Sequence, residues 1–145
     1  MKSLFTLLLF FIYFPGQAQD AFESPDTTAV KTKSSAKKPK VLVGTASYYA
    51  DKFNGRQTAN GEIYDSKKMT AACNSLPLGT WIRVTNLSNN RSVVVKTNDR
   101  MHPRMERVVD LSRAAAEKLG YIGKGLTRVK VVVLQKKEIK ELALK

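Results

Sequence analysis

Short runs of alternating or β-branched residues recur along this chain, separated by glycine, asparagine and serine, and they predict its strands. Val41 to Tyr49 is the first, with small residues at Gly44 and Ala46 and aromatics at Tyr48 and Tyr49. Trp81 to Leu87 alternates apolar and polar positions, Ser88-Asn89-Asn90-Arg91 supplies turn residues, and Ser92 to Thr97 reads as a second strand. The pair predicts a hairpin. Val108 to Leu111 is a short strand, and Arg128 to Leu134 is the last, with Val129, Val131 and Val133 on one face. One helix interrupts the series. Ser112 is placed to cap the alanine-rich segment Arg113 to Leu119, and Gly120 stops it. Gly123 and Gly125 mark a loop, and Asn60-Gly61 marks a tight turn, because that pair tolerates positive φ. No internal repeat is present. Many short strands with little helix argue for a mainly β protein, a small barrel, and against a doubly wound parallel sheet.

The two ends of the chain follow other patterns. Met1-Lys2, the apolar run Leu4 to Phe14 and the small residues Gly16 and Ala18 match a secretory signal peptide spanning 1–18. The run is shorter than the roughly 20 residues a membrane span needs, so no stable span is expected after cleavage. No cysteine follows the run, so no lipid attachment site is expected there. Residues 19–40 are rich in Ser, Thr, Lys, Ala and Pro and predict a flexible basic linker. The folded domain is expected over 41–135, followed by a charged tail over 136–145 with a weak helical period.

The chain has 145 residues, a formal net charge of +13 and a hydrophobic share of 43%, which suits one packed domain with appended segments. Residues 41–135 hold 15 Lys and Arg against 7 Asp and Glu, a balance of +8, so much of the basic excess belongs to the domain. Such charge attracts nucleic acid, anionic membranes or acidic polymers. An export leader disfavours intracellular nucleic acid and leaves an acidic envelope polymer. One cysteine allows no internal disulfide. Cys73 and His102, one of each type and far apart, make a poor metal site, so neither metal nor cofactor is expected.

Two acids stand out. Glu62 directly follows the Asn60-Gly61 turn, and Asp99 ends a hydrophobic strand. Each also has an ordinary reading, Glu62 as a solvated surface acid and Asp99 as a turn former. Tyr48, Tyr49, Phe53 and Tyr64 offer flat rings for sugar faces, or core packing. Arg56, Arg100 and Arg107 offer forks for carboxylates, either a ligand's or those of Asp99 and Asp110.

The segments Gly44-Thr45-Ala46-Ser47-Tyr48-Tyr49, Thr58-Ala59-Asn60-Gly61-Glu62, Thr70-Ala71-Ala72, Leu76-Pro77-Leu78-Gly79-Thr80, Asn98-Asp99-Arg100 and Arg107-Val108-Val109-Asp110-Leu111-Ser112 together resemble the rare lipoprotein A (RlpA) family. The likeness runs in order from about Val43 to Leu134. It implies a six-stranded double-psi β-barrel with one or two short helices, related in fold to expansins and some cellulases. It also implies an exported bacterial envelope protein, periplasmic or secreted. The implied activity is that of a lytic transglycosylase acting on peptide-poor peptidoglycan strands. Carried over by position, the family's catalytic acids fall on Asp99 and Glu62, with Asn60, Tyr48, Tyr49, Arg100 and Arg107 as substrate-binding candidates. The family's histidine falls on Cys73, a weaker donor, and the usual Gly-Pro after the Asp-Arg pair is replaced by Met101-His102. His102 is a candidate substitute imidazole. Many members carry a C-terminal peptidoglycan-binding domain; none is expected within these 145 residues, too few of which lie past the expected barrel to hold one. Two readings stay open: an enzyme using Asp99 and Glu62, or a glycan- or partner-binding barrel that lost catalysis with the histidine.

Overall fold

The computed structural model describes residues 38–144; the leader and most of the linker lie outside the described residues. Six strands close into one barrel: β1 (Val41–Tyr48), β2 (Thr70–Ala72), β3 (Trp81–Asn86), β4 (Ser92–Asp99), β5 (Val109–Leu111) and β6 (Thr127–Val133). Their order around the barrel is β1-β5-β2-β4-β3-β6. The pairs β1/β5 and β2/β4 are parallel, and the other four are antiparallel. This is the double-psi β-barrel that the resemblance implied, and closure leaves no unpaired sheet edge.

Alternation explains the core. Along β3, Ile82 and Val84 point inward and are fully buried, while Arg83 and Thr85, which alternate with them, are half-buried. Along β6, Val131 stands opposite Val84 and Val129 opposite Asn86, both valines fully buried. Val133 falls at the strand's end and is only half-buried. The hairpin turn expected at Ser88 to Arg91 forms, with Asn90 taking positive φ. Asn86 is buried at the turn's base. Its amide donates to Leu119 O and accepts from the Thr127 hydroxyl, so the polar group carries its own partners.

The expected helix α1 (Arg113–Leu119) is present. Ser112 Oγ accepts from Ala115 N, and Gly120 closes the helix in the left-handed region. Ala115, Ala116 and Leu119 bury one face against the barrel. Residues 136–143 form a second helix, α2 (Lys136–Ala143), opened by a Gln135/Glu138 capping box and joined to the barrel by an Arg83–Glu138 ion pair. Lys40 continues the pairing of β1: its carbonyl accepts from Val133 N and its ammonium donates to Ser75 O. β2 was not legible from periodicity. Three residues are too few to show a period, and β2 is held from both sides by β4 and β5.

Candidate active site

The Asn60-Gly61 turn forms as expected, with Gly61 at φ 88°. Thr58 N donates to Glu62 O, and Gln57 bridges Ile63, so residues 57–63 make a miniature hairpin. The hairpin is pinned to the end of β4. Asn60 N donates to Asn98 O, Asn98 Nδ2 donates to Glu62 Oε2 at 3.0 Å, and Ala59 N donates to Asp99 Oδ1 at 2.9 Å. Folding therefore brings the Glu62 turn and Asp99, 37 positions apart in sequence (99 − 62), to one end of the barrel.

Asp99 faces a cleft of about 610 Å³. Three donors hold its carboxylate: Tyr49 Oη at 2.7 Å on Oδ2, and the amides of Ala59 and Arg100 on Oδ1. Tyr49 is in turn held by rings. Tyr64 stacks on it at 4.5 Å between centroids, and Phe53 meets it edge-on at 5.8 Å. Burial first, and then the bond to Asp99, push the Tyr49 hydroxyl well above the usual tyrosine range, so it stays protonated and donating. Glu62 is exposed and does not line the cleft. Hydrogen bonds from Asn98 and then Asn60 hold it below the usual carboxylate value, so it stays ionised.

Several side chains proposed for substrate have work inside the chain. Asn60 Oδ1 accepts from Thr58 Oγ1 and Glu62 N, which shapes the turn. Arg100 lines the cleft, but its guanidinium donates to the carbonyls of Cys73 and Leu76. Arg107 forks onto Asp110 at 2.7 and 2.9 Å, and this bond raises its pKa further. Tyr48 lines the cleft while its hydroxyl donates to Ile122 O. Cys73, at the family's histidine position, is fully buried in the core, and its thiol donates to Val108 O. Its backbone amide donates to Asp99 O, so the position supports the acid through the main chain. His102 does line the cleft, with Nδ1 accepting from Arg104 N. Sequence reasoning missed Asn98, Ala59 and Lys52 as neighbours of the site. Only Lys52 carries a signal, being a cation beside an aromatic; the others act through contacts set by the fold. Among the described residues no cluster of three or more His, Cys, Asp or Glu is placed to hold a metal.

Residues 41–131 match the family model described as lytic transglycolase. The chain belongs to that family. It is 58% identical over 90 residues to the endolytic peptidoglycan transglycosylase RlpA of Pseudomonas aeruginosa strain UCBPP-PA14, covering 62% of this chain and 26% of that protein. The protein of the same name in Haemophilus influenzae is 44% identical over 117 residues, covering 77% of this chain and 41% of that one. The chain thus spans less than half the length of these relatives. Apo expansin from Clavibacter michiganensis superposes with a TM-score of 0.55 at 19% identity, over 67% of this chain and 52% of that one, which shows the shared fold alone.

Proposed function

We propose that this member of the lytic transglycolase family is itself an endolytic peptidoglycan transglycosylase, cleaving the MurNAc–GlcNAc linkage of peptide-poor strands. Asp99 is the acid/base. It protonates the glycosidic oxygen as the C1–O bond breaks, then takes the proton of the MurNAc 6-hydroxyl as that oxygen attacks C1. The product is a 1,6-anhydro end, and no water is consumed. Glu62, exposed and outside the cleft, acts through the turn: ionised and bonded by Asn98, it holds the 57–63 hairpin, and with it the Ala59 amide, against Asp99. Tyr48 and Tyr49 present ring area to sugars, and the basic cleft suits an acidic polymer. The reading also places the protein in the bacterial envelope, exported by cleavage after Ala18.

The observation that carries this reading is the triple clamp on Asp99 at the cleft, beside a second carboxylate tied to the same strand end. Such clamping restricts a reactive group to one geometry before substrate arrives. The test is incubation of the purified protein with peptide-free glycan and mass spectrometry of the ends. Anhydro-MurNAc ends are expected from the wild type and none from Asp99→Asn. Hydrolysed, non-anhydro ends, or equal product from Asp99→Asn, would overturn the assignment.

A further inference from the structure

The cleft's cations can be accounted for one at a time. Arg100 is satisfied by two backbone carbonyls and Arg107 by Asp110. Lys52 and Arg56 remain. Among the described residues neither has an ion-pair partner, and Asp51, next to Lys52, pairs with Arg113 instead. Both line the cleft at one corner. Both also sit over the same ring: Lys52 Nζ lies 5.5 Å and Arg56 Cζ 5.3 Å from the Phe53 centroid. That ring meets Tyr49, which holds Asp99. Two unneutralised cations are thus steadied by cation–π contact at a fixed remove from the reactive carboxylate.

We propose that Lys52 and Arg56, held over Phe53, form an anion subsite that reads the free lactyl carboxylate of MurNAc. The proposal rests on the transglycosylase reading and extends it to substrate selection. A stem peptide converts that carboxylate to a neutral amide, removing the charge the pair would bind. An Arg fork and a Lys point charge together suit a carboxylate standing off a sugar ring. Preference for peptide-free strands then follows from charge as well as from room.

The test is a binding measurement on the full chain by calorimetry. It compares peptide-free glycan with the same glycan after its lactyl carboxyls are reduced to alcohols. The wild type is expected to favour the native glycan about tenfold, as two exposed charge contacts allow. Lys52→Gln/Arg56→Gln is expected to bring the ratio close to one, and added salt to erode it in the wild type only. A wild-type ratio near one, or a ratio unchanged in the double variant, would overturn the subsite. A circular dichroism spectrum and melting temperature matching wild type guard against misfolding; if the pair fails to fold, Lys52→Arg/Arg56→Lys, which keeps both charges, must retain the ratio while single neutral variants lose part of it. Both the otherwise wild-type chain and the Lys52/Arg56 variants carry Asp99→Asn in the calorimeter, so binding is read without turnover. Absence of anhydro product from the chain with Asp99 intact, with the ratio intact, therefore sinks the activity and keeps the subsite; product formed equally from both glycans does the reverse.

Discussion

Tyr49→Phe isolates one atom of the site. The substitution removes the hydroxyl that donates to Asp99 Oδ2 at 2.7 Å and leaves the ring, with its Tyr64 stack and Phe53 edge, in place. A hydrogen bond to a charged group is worth about 1.5–3 kcal/mol. Asp99 is half-buried at an open cleft, so water takes up the vacated lone pair and the loss in stability falls to about 1 kcal/mol. The catalytic effect is larger than the stability effect, because Asp99 then keeps only the two amides on Oδ1 and its second oxygen swings free. A loss of about 2 kcal/mol of positioning corresponds to roughly 30-fold in turnover. The assay is the initial rate of anhydro-end formation over a range of glycan concentrations, with a thermal melt alongside. Turnover is expected to fall about 30-fold, KM to change little, and the melting temperature to drop by a few degrees. The same change made on top of Asp99→Asn is expected to cost nothing further, because the hydroxyl acts through Asp99. Unchanged turnover, or an equal added loss in the Asp99→Asn background, would refute this chain of reasoning.

Other expectations concern the acid limb, the alkaline limb and the barrel. Folding favours ionised Glu62, through Asn98 first and then Asn60. That stability is full above the ordinary value of 4.5 and is lost as pH falls through the lower folded value. Glu62→Gln should therefore lower the melting temperature slightly near neutrality and converge on wild type in acid, as a pH series of thermal melts will show. Tyr49 and Tyr121 are both raised by burial above the ordinary 10.0, so the stability they give is present below pH 10 and lost above it. Their tyrosinate absorbance should rise together with loss of ellipticity, whereas an exposed tyrosine titrates before unfolding. Gly44→Ala places a methyl 2.4 Å from Val108 Cγ1, between β1 and the start of β5. About 1–3 kcal/mol of overpacking is expected in denaturant unfolding, with much of it recovered in Gly44→Ala/Val108→Ala.

The two-residue period of β3 and β6, the Ser112 and Gly120 punctuation of α1 and the Asn60-Gly61 turn were all written in local sequence. Each rests on physics that acts within a few residues: pleat geometry, an orphan helix amide, the freedom of φ at glycine. The motif series also pointed to the barrel as a whole. What local sequence could not carry is the assignment of partners. Arg107 and Asp110 are three apart, yet only the bend before β5 turns one onto the other. Cys73 reads as a site residue by position, but the chain just past β2 sends its thiol into the core, onto Val108 O. Tyr49 reads as a sugar platform; barrel closure, by laying β1 near the end of β4, makes its hydroxyl a brace for Asp99. Lys52 and Arg56 are ordinary surface cations until the fold gives Arg100 and Arg107, the other arginines of the cleft, nearer partners of their own. Hydrogen bonds and charges are satisfied by whatever the closed chain brings within about 3 Å, and that neighbourhood exists only after closure.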